Sequence, residues 1–84
     1  MATSAQFTIG TTRTKIVDAT PFDRVVIIHS YSGAVLVGDS TVTSATGFLI
    51  DNNDKITFPV GDHEELWAIT STGTTGIYVY TNTN

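Results

Sequence analysis

The 84 residues make one small domain, 40% hydrophobic and only 14% charged, with a net charge of -4 and no cysteine. A chain this short buries roughly 60% of the surface its unfolded form exposes, so self-association is the readiest supplement to a thin stability margin. The missing cysteines exclude disulfides and thiolate metal sites, and the four scattered basic residues, Arg13, Lys15, Arg24 and Lys55, argue against nucleic acid because they form no phosphate-tracking stripe.

No apolar run approaches the ~20 residues of a membrane helix, so no membrane partner is expected, and no signal-peptide pattern opens the sequence. The polar load falls on Thr and Ser. Thr is β-branched, suits a strand and presents a neutral hydroxyl on a solvated face.

In chain order, residues 1–6 are small and polar without periodicity and are expected to form a flexible arm, with a single β-sandwich domain over residues 7–84. Phe7-Thr8-Ile9 alternates apolar and polar and predicts a brief first strand that Gly10 ends. Residues 14–18 predict a second, and Pro21 marks a turn or crossing after it.

Arg24-Val25-Val26-Ile27-Ile28-His29-Ser30 is the strongest strand signal. Its unbroken β-branched run predicts that both faces are covered, one by the opposite sheet and the other by a partner subunit or a long loop. After Tyr31-Ser32-Gly33, residues 34–37 are expected to return as its antiparallel hairpin partner.

The stretch from Gly38 to Gly47 reads as a corner between sheets, polar except for Val42, an apolar anchor expected to plug the corner onto the core. Phe48-Leu49-Ile50 is apolar again, and Asp51-Asn52-Asn53-Asp54 is a turn. Lys55-Ile56-Thr57-Phe58 alternates with Ile56 and Phe58 inward, and Pro59 marks an end or an edge. Residues 65–71 place Leu66, Ala68 and Thr70 on one face, and Trp67 and Ile69 on the other. Residues 73–76 read as a hairpin turn into a last strand with Ile77 and Val79 inward, and Tyr78 and Tyr80 outward.

Seven or eight short strands, turn signals about every ten residues and no helical period predict an all-β fold, a compact antiparallel β-sandwich of jelly-roll-like form.

Few residue groups carry chemistry. His63-Glu64-Glu65 lacks the second histidine of a helix-borne zinc motif and reads as a solvated loop. Asp51-Asn52-Asn53-Asp54 lacks the alternating spacing, glycine and distal glutamate of a calcium loop, and suits a turn tolerant of left-handed backbone. His29 has serines nearby, but none stands in a strained Gly-x-Ser-x-Gly elbow, and a strand-end or interface histidine is the expectation. No catalytic, cofactor-binding or metal residue is therefore assigned.

The outward aromatics are more informative. If the last two strands form a hairpin, Trp67 neighbours Tyr78 or Tyr80. Three readings are open for such a patch: a protein interface, a glycan platform, or one wall of the core. Interaction candidates are Val25, Ile27, Trp67, Tyr78 and Tyr80, together with the arm.

From Val35 onward the chain resembles small structural proteins of tailed bacteriophages. The resemblance rests on Val35-x-Val37-Gly38-x-Ser40-x-Val42-Thr43, Gly47-Phe48-x-Ile50, Ile56-Thr57-Phe58-Pro59, Glu65-Leu66-Trp67-Ala68-Ile69 and Gly73-Thr74-x-x-Ile77-x-Val79. The order and spacing of these elements carry it, over about three-fifths of the chain; Asp51-Asn52-Asn53-Asp54 departs from it where a shorter Pro/Gly turn is expected.

The resemblance implies a β-sandwich or jelly roll on the virion, made in the bacterial cytoplasm, with no enzymatic activity and no cofactor. It points to a capsid decoration (cement) protein that binds the major capsid protein or another virion protein as a homo-oligomer, a homotrimer. The alternative is a carbohydrate- or receptor-binding module of a head fibre or tail.

Overall fold

The computed structural model describes residues 2–83. Eight strands form: β1 (Ala2–Ile9), β2 (Thr14–Val17), β3 (Arg24–Ser30), β4 (Val35–Gly38), β5 (Phe48–Ile50), β6 (Lys55–Val60), β7 (Leu66–Ile69) and β8 (Thr75–Thr83). They make two antiparallel sheets, a front sheet ordered β1-β8-β3-β6 and a back sheet ordered β2-β7-β4-β5. Successive strands change sheet at every connection except β4 to β5. This winding is the eight-stranded jelly roll, two sheets face to face with their strands wound alternately between them.

The alternation read in the sequence fixes which side of each strand is buried. Every strand sends at least one aliphatic residue into the space between the sheets: Ile9, Ile16, Val26, Val35, Ile50, Val60, Ala68 and Ile77 among them. Val17, Ile28, Val37 and Val79 complete this core. No aromatic side chain belongs to its fully buried part, but Phe7 and Phe58 pack against it. Phe48 meets Phe58 edge to face at 5.8 Å and closes the seam between β5 and β6.

Three pairings differ from the sequence expectation. Residues 2–6 are not an arm: Ala2 pairs with Asn82, Ser4 with Tyr80 and Gln6 with Tyr78, so β1 begins at Ala2. Met1 lies outside the described residues. The segment has no apolar period, its side chains are exposed throughout, and the backbone ladder with β8 makes it a strand. β3 and β4 are not a hairpin but belong to opposite sheets, and the same holds for β7 and β8. A short polar connection permits a hairpin and a crossing between sheets equally well, and packing of the inward aliphatics decides between them.

The loops gather at two ends. One end holds residues 10–13, 31–34, 51–54 and 70–74, tied by Thr70 N–H donating to the Gly10 carbonyl at 2.9 Å and Tyr31 N–H to that of Gly76 at 3.1 Å. Asn53 there takes a φ of 65°, the left-handed turn conformation expected of it.

The other end holds residues 18–23, 39–47 and 61–65, tied by His63 N–H to the Thr20 carbonyl and Asp62 N–H to Asp23 Oδ1. All eight carboxylate residues lie outside the strands, and six of them (Asp18, Asp23, Asp39, Asp62, Glu64 and Glu65) are at this second end. Beneath them Arg24 is 4% exposed, its guanidinium donating to four backbone carbonyls, those of Asp18, Phe22, Gly61 and Glu64.

Candidate interaction face

Residues whose partners across the ladder are opposite one another share a face. On the outer side of the front sheet, the register sets Asn82, Val25 and Pro59 in one row, Ser4, Tyr80, Ile27 and Thr57 in the next, and Gln6, Tyr78, His29 and Lys55 in a third. Four of the five residues singled out from sequence, Val25, Ile27, Tyr78 and Tyr80, thus stand together at its centre. Tyr78 and Tyr80 are each 43% exposed and Val25 37%.

Of the covers expected for β3, the described chain supplies the opposite sheet and no long loop. Val26 and Ile28 are fully buried against the back sheet, whereas no segment of the described chain lies over Val25 and Ile27. The wall-of-the-core reading of the aromatics is excluded for Tyr78 and Tyr80, which point away from the core.

Trp67 is not part of this face. It lies in β7, on the outer side of the back sheet, opposite Lys15 and Gly38, with Nε1 donating to Glu65 Oε1 at 3.2 Å. The neighbourhood with the tyrosines was expected from a β7–β8 hairpin that does not form. Leu36 and Leu49 share the back sheet's outer side with it.

An aromatic cluster missed by the sequence reading occupies one end of the front face. Tyr31 stacks on Tyr78 with centroids 4.5 Å apart, and Tyr78 lies 5.9 Å from the His29 ring. The stack exists because residue 76 is glycine: a Cβ there would stand 2.4 Å from the Tyr31 ring. The available signal was the spacing of His29 and Tyr31, two apart and so on one side of an extended chain. Nothing in the sequence pairs Tyr31 with Gly76.

In Gly76→Ala the obstructing atoms belong to the far end of a flexible side chain, so the ring swings away at small cost. Near-UV circular dichroism is expected to lose the tyrosine couplet while the unfolding free energy changes by about 1 kcal/mol or less.

The face is electrostatically one-sided. Among the described residues it carries Lys55 and His29 but no carboxylate, although the chain as a whole is at -4. Elsewhere, the His63 ring meets the neighbouring Asp62, at 3.2 Å, and the residue stands at a φ of 64° in an exposed loop. Among the described residues no group of three or more His, Asp or Glu side chains converges as metal ligands would. Asp39 accepts from the Thr41 hydroxyl at 2.6 Å and its N–H at 2.8 Å, and these bonds hold its carboxyl below the usual range. They shape a turn.

No family model matches the chain, and no curated protein matches it. Among solved structures, the Bacillus endospore appendages that form a novel family of disulfide-linked pili superimpose with a TM-score of 0.59. The match covers 96% of this chain and 81% of that one at 13% sequence identity. It shows a shared fold, carried here without a single cysteine.

Proposed function

We propose that the protein is a non-enzymatic building block of a particle surface, and specifically a capsid decoration protein of a tailed phage. The outer face of the front sheet is the side that docks on the shell. One observation carries the reading: Val25, Ile27, Tyr78 and Tyr80 form a contiguous apolar centre without a carboxylate, on a chain whose acidic residues lie in the loops.

Contiguous exposed apolar residues mark an interaction site, and aromatic centres with few charges mark protein interfaces. A stable interface takes roughly 800 Å² from each partner, and the two longer dimensions of the molecule, 34 and 24 Å, give a broad side of that order. The fold serves pili in the endospore appendages. Here, without cysteine, assembly would be non-covalent.

The test is co-sedimentation with capsids of the parent phage stripped of this protein. Wild type and Trp67→Ala are expected to bind alike. Val25→Asp and Tyr80→Asp, whose side chains face solvent and leave the core intact, are expected to bind at least tenfold more weakly. Capsid binding that survives both changes would sink the docking face.

The second reading, a carbohydrate- or receptor-binding module, is favoured by the Tyr31–Tyr78 stack beside His29. Exposed stacked rings suit a sugar face. It predicts glycan-array signals that vanish in Tyr78→Ala and Gly76→Ala and are indifferent to Trp67.

A further inference from the structure

A sheet edge exposes a row of unpaired backbone donors and acceptors, and proteins blunt such edges with charge, proline, bulges or short length. Three of the four edges here are blunted. β6 carries Lys55 and Pro59, β2 carries Lys15 and a register shift between Lys15 and Val17, and β5 is three residues long. The remaining edge, β1, has eight residues in unbroken register with β8, no charge, no proline and no bulge. From Ala2 to Gln6 it is exposed throughout.

The direction of the free groups follows from the ladder. Tyr31 N–H donates to the Gly76 carbonyl, so Gly76, Tyr78 and Tyr80 direct their backbone groups at β3, and Ile77, Val79 and Thr81 direct theirs at β1. In β1 the residues paired with those three, Phe7, Ala5 and Thr3, are therefore satisfied inward. Ala2, Ser4, Gln6 and Thr8 point their N–H and C=O groups away from the sheet. The same alternation puts Pro59 at an outward position of β6, where its missing N–H blocks that edge.

We infer that β1 is a self-association edge, and that its occupant is β1 of a second copy, antiparallel, about a two-fold axis through Ala5. Pairing Ser4 with Gln6 of the second copy, and Ala2 with Thr8, engages every outward backbone group of the strand at once. Each of these pairs exchanges two hydrogen bonds. The same register keeps inward residues with inward ones, Thr3 opposite Phe7, and sets the small Ala5 against its own copy on the axis.

No other edge of the molecule suits β1 as well, because each alternative is short, bulged or proline-blocked. Like charges cannot oppose each other, since β1 has none. A two-fold contact is also closed: it consumes both edges and propagates no fibre. The result is a continuous eight-stranded sheet that joins two apolar faces side by side. It gives a dimer in place of the trimer that the sequence resemblance implies. The pairing stands independently of the capsid reading, because it is tested with the protein alone.

Sedimentation velocity is expected to show a particle of twice 9.0 kDa. Gln6→Pro gives β1 the device that Pro59 gives β6. It is expected to raise the dimer dissociation constant at least tenfold while far-UV and near-UV spectra stay native, because that N–H is not used within the subunit. Ala5→Cys, a lone cysteine in this chain, is expected to form a disulfide-linked dimer under mild oxidation, since directly opposed Cα atoms of a non-hydrogen-bonded pair lie about 4.5 Å apart. Thr8→Cys, some ~20 Å from its copy in this register, is expected not to. A wild-type monomer or trimer, a dimer indifferent to Gln6→Pro, or preferential cross-linking through Thr8→Cys would overturn the inference.

Discussion

Arg24→Met is expected to lower the unfolding free energy by about 3–5 kcal/mol, read as a lower urea midpoint at unchanged slope. The guanidinium of Arg24 is almost wholly buried and, among the described residues, has no carboxylate against it; its Nη2 donates to the carbonyls of Gly61 at 2.9 Å and Glu64 at 2.8 Å, Nε to Phe22 at 3.2 Å, and Nη1 to Asp18. These carbonyls belong to two loops, residues 18–23 and 61–65. One planar fork thus holds the two crossings at the acidic end together.

Methionine fills much of the volume and supplies no donor, so among the described residues the Asp18 and Glu64 carbonyls are left without one, while Phe22 keeps the Thr20 hydroxyl and Gly61 the Glu64 N–H, both at 3.3 Å; a hydrogen bond to a charged group is worth about 1.5–3 kcal/mol. Arg24→Lys is expected to recover less than half of the loss, because a single ammonium cannot span both loops as the fork does. Domains of this kind have only about 5–15 kcal/mol in hand, so Arg24→Met is expected to be partly unfolded at 37 °C. A loss below 1 kcal/mol would show that water satisfies those carbonyls equally well.

Val42→Asp is expected to cost about 2–4 kcal/mol, against 1 kcal/mol or less for alanine at Thr41, Thr43 or Ser44, in the same denaturation assay. Val42 is 3% exposed, while its neighbours Thr41 and Thr43 are exposed. Its seat differs from the one expected from sequence. It stands apart from the core between the sheets and packs on the outer side of the back sheet, over Gly38 and against Gly47.

Cβ atoms added at those glycines would lie 2.8 and 3.0 Å from Val42 Cγ2, and the one at Gly47 also 2.6 Å from Leu36 Cβ. Both glycines serve close approach here and neither has a positive φ. Loop 39–47 folds back as a lid on its own sheet, and an aspartate at residue 42 would place a carboxylate beneath it without a partner. Equal losses for Val42→Asp and Thr41→Ala would mean that the lid is not packed.

The inward pattern was legible because alternation with period two states which residues avoid water. Ile77 and Val79 inward, Tyr78 and Tyr80 outward, and Ala68 and Thr70 buried all follow from it. Val25, Ile27, Tyr78 and Tyr80 could be singled out by the same reasoning, as apolar residues without an inner seat.

The pairing of strands was not legible. The short glycine-containing connection after β7 predicts Trp67 beside the tyrosines, yet a connection of that kind joins strands within a sheet or across two. Tyr31 and Gly76 came together only through β3 and β8, far apart in sequence, and the polar residues 2–6 became a strand through backbone bonds that leave no mark on side-chain type.

An all-β chain, its strands and turns, the buried side of most strands and the absence of disulfides follow from residue types alone, because these depend on local propensity and on each residue's preference for water. The winding β1-β8-β3-β6 over β2-β7-β4-β5, the gathering of four apolar residues into one face, the carbonyl cage around Arg24 and the unguarded edge at β1 arise from long-range packing. Each of these depends on which distant strands share hydrogen bonds, and backbone donors and acceptors are the same at nearly every residue.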